Sequence, residues 1–220
     1  RLKAIAVKGQ RLPRFADPER LAAYSKQLSQ KSLGPATAKY RELGTVGNLL
    51  TFNRLGTLPT RNFQSGTFAD AEALAPETLN RTLDKTRASC AACNIGCEHL
   101  YRVSQNGSRP LRLEYENLFA SAPLCDELGL DTISTGATIA FAMECSERGL
   151  IAQPELRFGN AEVLEPTIRR IAARQGIGDV LSQGTRIAAE HIGQGAAEFA
   201  PHVKGLELPG YEPRALQTLA

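Results

Sequence analysis

Three of the chain's five cysteines fall within eight residues, as Cys90-Ala-Ala-Cys93-Asn-Ile-Gly-Cys97. A loop with this spacing can carry three thiolates around one centre, and Gly96 lets its backbone turn so that amide N–H groups point at sulfur. An odd cysteine count crowded into one loop is not the framework of a disulfide-stapled secreted domain. An iron–sulfur cluster, which would draw a fourth ligand from elsewhere, is the leading reading. Zinc is the rival, although zinc sites usually pair CxxC motifs across a longer loop, and neither a second pair nor a His-x-x-x-His occurs here. Plain structural thiols are the third reading. Lys85, Arg87 and Arg102 flank the motif, where positive charge would offset a thiolate-held cluster and raise its potential, or simply form a solvated basic face. Cys125 and Cys145 read as small buried hydrophobes, with Cys125 the only local substitute for a fourth ligand.

Other residues with chemical capacity lie further on. Asp126-x-x-Gly129-Leu130-Asp131 is an acidic turn before a helix; its carboxylates accept N–H donors, and Gly129 permits close approach to the backbone. The plain alternative is a helix cap. Glu114 and Glu116 lie two apart, so an extended chain points both the same way. His202 follows a helix end and precedes Val203-Lys204-Gly205, while His99 and His191 read as structural.

The 220 residues include 42% hydrophobic side chains, enough for a buried core, which excludes general disorder. No run suits a membrane span, and no secretory leader opens the chain, so a cytoplasmic protein is expected. A net charge of +3 spread along the length and 6% aromatic residues with no tryptophan argue against nucleic acid as a partner.

The positioning elements are mainly helical. A short strand is expected over Leu2–Val7, then a helix from Asp17-Pro18-Glu19 to about Ser29 with Leu21, Tyr24 and Leu28 on one face. Helices follow over 36–43 and 45–55, then a loop from Leu58 to Gly66 and a helix from Pro76 to about Lys85. A turn is expected from Asn106 to Pro110. A largely buried helix is expected over 133–149, with Ser134 or Thr135 as cap and Gly149 as its stop. Asn160 then caps a helix that turns Val163, Leu164, Ile168 and Ile171 inward and is kinked at Pro166. A last helix runs from Gly178 to Ile192 with Val180, Leu181, Ile187 and Ala188 inward.

Seven strings in order resemble the tungsten-dependent aldehyde ferredoxin oxidoreductases: Leu2 to Val7, Leu58-Pro-Thr-Arg-Asn-Phe63, the cysteine loop, Glu114-Tyr-Glu116, Asp126 to Gly136, Leu156-Arg-Phe-Gly-Asn160 and His202-Val-Lys-Gly205. The resemblance implies a mainly α fold corresponding to helical domains 2 and 3 of that family, with short strands. Residues 1–160 would hold the iron–sulfur loop and first pterin motif, and 161–220 would begin the second, incomplete helical domain. It implies a tungsten (or molybdenum) bis-pyranopterin, or molybdopterin, cofactor, a [4Fe-4S] cluster on Cys90, Cys93 and Cys97, and a place for magnesium. The implied reaction oxidises aldehydes to carboxylic acids and passes electrons to ferredoxin or an iron–sulfur partner subunit, in a homo- or hetero-oligomer. Asp126, Gly129, Leu130, Asp131 and Lys204 would bind the pterin; Glu116 would accept a proton or orient water; His202 would hydrogen-bond the aldehyde oxygen. The family's β-rich domain would precede Arg1, the fourth cysteine would follow Ala220, and the stretch from Ala120 to Leu124 is shorter than the family's. The alternatives are a noncatalytic iron–sulfur electron-transfer module and a family member that reduces an aromatic acyl-CoA thioester.

Overall fold

The computed structural model describes residues 5–10, 13–102, 111–113 and 122–216. The described part of the expected first strand, residues 5–7, has no regular structure; Ile5 and Val7 are exposed, and among the described residues no strand pairs with them. Asp17 caps α1 (Pro18–Ser32) by accepting the Arg20 N–H at 2.9 Å, with proline and glutamate in the first turn as expected. The helix buries no residue, and its stripe of Leu21, Tyr24 and Leu28 faces solvent.

Short helices α2 (Ala38–Leu43), α3 (Leu49–Arg54), α4 (Ala71–Leu74) and α5 (Pro76–Thr82) follow. The helix expected to reach Lys85 stops at Thr82, and the chain continues as β1 (Asp84–Ala88). That strand pairs antiparallel with β2 (Glu98–Arg102), which pairs in turn with β3 (Leu111–Leu113). Val46, Leu49, Leu58, Leu79 and Tyr101 form one buried apolar cluster.

A second cluster gathers α6 (Ala122–Leu128), α7 (Thr132–Glu147), α8 (Leu164–Ala173), α9 (Ile177–Leu181) and α10 (Thr185–Ile192) around Ile139, Phe141, Leu156 and Ile168. Asp126 lies on the exposed side of α6, not in a turn, because Ala122, Leu124 and Cys125 bury the opposite face. Pro166 falls in the first turn of α8, where its missing N–H leaves no bond unmade. The single helix expected over 178–192 is two, parted at Gly184 with φ of 87°, and Ile187 is 37% exposed rather than inward. The tight hairpin β4 (His202–Val203) and β5 (Leu206–Glu207) follows, then α11 (Pro213–Leu216).

The loop over 60–65 ties the clusters together. Arg61, Asn62 and Phe63 all adopt positive φ, which non-glycine residues hold only when surrounding bonds fix them. Arg61 pairs with Glu147 at 3.2 Å, and Arg214 donates to the Phe63 carbonyl at 2.8 Å. The Asn62 amide donates to the carboxylate of Glu144, which is buried and also paired with Arg148, and to the Phe199 carbonyl. Among the described residues no helix is long and apolar enough to cross a membrane.

Candidate functional site

The cysteine motif is the connection between β1 and β2, spanning residues 89–97 of the hairpin. Cys90 is exposed, Cys93 and Cys97 are half-buried, and a Cys90 carbonyl to Cys93 N–H bond of 3.0 Å closes the first turn. Asn94, inside the motif, reaches α1: its amide donates to the Ser29 carbonyl and hydroxyl at 3.1 and 2.6 Å, and its oxygen accepts from the Ser32 hydroxyl at 2.7 Å. Under the loop, Gly44 ends α2 at φ of 72°, and a Cβ there would stand 2.9 Å from the Cys97 carbonyl oxygen and 3.2 Å from the His99 ring. His99 is fully buried, neither ring nitrogen has a partner among the described residues, and burial, with Lys85 adding, holds it down to about 4 against a weak opposing effect of the Arg41 backbone. It is therefore a neutral ring filling space behind the loop, as the structural reading expected.

Lys85 donates to the Glu42 carbonyl at 2.7 Å, and Arg87 to the Arg41 carbonyl at 3.4 Å, so both complement the C-terminal end of α2. Burial and then Arg87 lower the Lys85 pKa. Three thiols on one accessible connection have the donor chemistry of a thiolate-held cluster. Among the described residues, however, no three cysteine, histidine or carboxylate side chains are gathered as a metal site. Cys125 and Cys145 are buried, and burial pushes their thiols up to about 11 and about 12.

The acidic motif is built at the junction of α6 and α7. Gly129 at φ of 65° and Leu130 close α6 through bonds to the Asp126 and Cys125 carbonyls. Asp131 caps α7 by accepting the Ser134 N–H at 2.7 Å. Across from it stands the β4–β5 hairpin, with Lys204 and Gly205 both at positive φ in its two-residue turn. The His202 Nδ1 accepts the Gly205 N–H at 3.3 Å, which leaves Nε2 to carry the proton of the neutral ring.

Between these elements lies a cavity of about 200 Å³, whose wall includes Leu130, Asp131, Ser134, Gln183, Gly205 and Glu207. The cavity thus brings Leu130 and Asp131 and the hairpin residues Gly205, Leu206 and Glu207 to one place. Asp126, His202 and Lys204 are not on its wall: Asp126 sits on α6, Lys204 is exposed at the hairpin tip, and His202 is the strand partner of Glu207. Polar side chains from three elements fit the edge of a hydrogen-bonding ring such as a pterin. Glu114, Glu116, the turn over 106–110 and the last four residues lie outside the described residues. Sequence reading missed Glu207, Gln183, Asn94 and Gly44. Only Gly44 had a signal, as a glycine at a helix end.

Comparison with known proteins bears on this arrangement. Residues 21–220 match the family model for aldehyde ferredoxin oxidoreductase, domains 2 and 3. The chain is 36% identical over 243 aligned residues to the tungsten-containing aldehyde ferredoxin oxidoreductase of Thermococcus kodakarensis, covering 99% of this chain and 39% of that protein. The Pyrococcus furiosus enzyme of the same name is also 36% identical, with coverage of 98% and 39%. A WOR-like subunit of an aliphatic sulfonate oxidoreductase from Pyrococcus furiosus is 27% identical over 97% of this chain and 38% of that one. Among solved structures, the BamBC active-site complex of benzoyl coenzyme A reductase with 1,5-dienoyl-CoA superposes with a TM-score of 0.55 at 20% identity, over 86% of this chain and 32% of that one, a likeness of fold. The chain thus spans about two-fifths of the length of the curated relatives it matches.

Proposed function

Because the chain belongs to the aldehyde ferredoxin oxidoreductase family, we propose that it forms part of a cytoplasmic tungsten (or molybdenum) bis-pyranopterin oxidoreductase that converts aldehydes to carboxylic acids. The observation that carries this reading is the shared cavity: Asp131 and the Gly205–Glu207 segment, far apart in sequence, meet on its wall. An iron–sulfur module without catalysis would have no use for that cavity.

Cys90, Cys93 and Cys97 would hold the cluster, with a fourth ligand from outside the described residues. Asp131 would hold the pterin through its carboxylate. One of its oxygens already accepts the Ser134 N–H at the start of α7. Gly129 and Leu130 present backbone beside it, with Asp126 and Lys204 flanking. When bound, the tungsten–pterin centre supplies the two-electron oxidation of the carbonyl, and the cluster supplies single-electron exit to ferredoxin or an iron–sulfur partner subunit. The chain's own work is to orient the substrate and to move protons. His202 would donate from Nε2 to the aldehyde oxygen, since Nδ1 is already engaged by Gly205. Glu116 would take the proton released when water-derived oxygen adds to the carbonyl carbon.

The test is aldehyde-dependent reduction of a low-potential viologen dye by the holoenzyme, with His202→Ala lowering kcat by about 100-fold or more. Dye reduction that needs no aldehyde, or a His202→Ala enzyme of wild-type rate, overturns the assignment.

A further inference from the structure

The hairpin that carries His202 and Lys204 has only two residues in each strand and exposes Val203 and Leu206, so its own pairing and apolar burial cannot fix its place. Its anchor is Glu207. The Glu207 Oε1 accepts the N–H of Thr185, the first residue of α10, at 2.6 Å. That bond supplies an acceptor to a helix start whose cap position, Gly184, has no side chain to do so. The φ of 87° at Gly184 favours glycine, and a Cβ there would also stand 2.9 Å from the same carboxylate oxygen. Glu207 is also the cross-strand partner of His202. One side chain therefore joins the His202 strand to a helix whose Thr185 hydroxyl pairs with Thr138 of α7, 3.2 Å away, in the buried core.

We infer that Glu207 is the positioning residue of the site: by capping α10 it holds the hairpin against the Asp131 cavity and thereby sets where the His202 imidazole and Lys204 stand. This inference rests on the proposed role of His202, but the clamp can be read without it. A side chain that acts only through placement should tolerate an amide, because the Gln oxygen accepts the same N–H, and should not tolerate loss of the acceptor.

The experiment compares wild-type holoenzyme with Glu207→Gln and Glu207→Ala by amide hydrogen exchange, metal content and steady-state kinetics. In Glu207→Ala, exchange over 185–188 and 202–207 should rise about tenfold or more. Its kcat for aldehyde should fall about 10- to 100-fold, with tungsten and iron content retained. In Glu207→Gln, exchange over 185–188 and 202–207 should stay within about threefold of wild type, and kcat should stand above that of Glu207→Ala. Unchanged exchange in Glu207→Ala refutes the clamp whatever the substrate is. Faster exchange with wild-type kcat refutes the positioning role, and Gln and Ala variants impaired alike refute it too. If wild-type holoenzyme shows no aldehyde activity, the aldehyde reading fails, and the exchange arm alone decides the clamp. Should Glu207→Ala not fold, Thr185→Pro removes the donor in place of the acceptor at a helix position that accepts proline, and Thr185→Val, which keeps the N–H and loses the hydroxyl bonded to Thr138, is its control. Thr185→Pro should reproduce the loss beyond that of Thr185→Val; a wild-type result from Thr185→Pro, or equal losses from the two, overturns the inference.

Discussion

Replacing Gly44 with alanine tests how the cysteine loop is seated. At φ of 72° and ψ of −173°, Gly44 occupies backbone space that side-chain-bearing residues almost never enter, which costs about 1–3 kcal/mol. The added methyl also meets the Cys97 carbonyl oxygen at 2.9 Å and the buried His99 ring at 3.2 Å, with no flexible side-chain end to yield. Overpacking of this kind adds about 1–3 kcal/mol, so Gly44→Ala should lose about 2–6 kcal/mol in urea unfolding. Because the displaced partner is the backbone of a cysteine, the variant should also reconstitute less iron, read as weaker thiolate-to-iron absorption near about 400 nm. Gly149→Ala is the control: it shares a φ of 73° but has nothing within 4 Å of the new Cβ, so it should lose about 1 kcal/mol and no iron. Equal effects from the two substitutions, or full iron in Gly44→Ala, would refute the reasoning.

Asn94→Ala removes three hydrogen bonds to α1, a helix with no buried residue, so hydrogen exchange over 18–32 should accelerate while the core clusters stay protected. Glu144→Ala strips the buried acceptor from Asn62 and Arg148 and frees the positive-φ run over 61–63; it should cost about 2–4 kcal/mol in thermal or urea unfolding. In native metal-free protein at pH 8, a thiol reagent should modify Cys90, Cys93 and Cys97 and spare Cys125 and Cys145 until unfolding. Since the folded state keeps the Cys145 proton to about 12 and an unfolded thiol releases it near 9, stability from this group is complete below pH 9 and is lost as pH rises toward 12. Cys145→Ala should flatten that alkaline decline in a series of melting curves.

Much of the helical scaffold could be read from local chemistry. Asp17-Pro18 marks the start of α1 because a side-chain oxygen at the cap is a local signal, whereas α7 is capped by Asp131 and not by Ser134 or Thr135. The cysteine loop was legible from spacing, but not that it connects a hairpin, since Lys85-Thr-Arg87 is charged and becomes a strand only by pairing with Glu98–Arg102. The break at Gly184 was hidden for a similar reason: the glycine interrupts an otherwise helical pattern, and the carboxylate that bonds the new helix start comes from Glu207, distant in sequence. Asp131 was legible as a carboxylate before a helix. Glu207 was not, because nothing local distinguishes it from any exposed glutamate, and its importance comes from a contact with Thr185, on another element. The stripe of α1 misled in the other direction, as periodic apolar spacing states which residues share a face and not whether anything covers it.

The most direct measurement of the central claim is metal and cofactor analysis of anaerobically purified holoenzyme together with its aldehyde-dependent dye reduction. The account predicts tungsten or molybdenum with pterin, about four iron atoms for each such metal atom, and activity that tracks the metal content. Zinc on the cysteine loop, or iron without pterin and without aldehyde turnover, would contradict it.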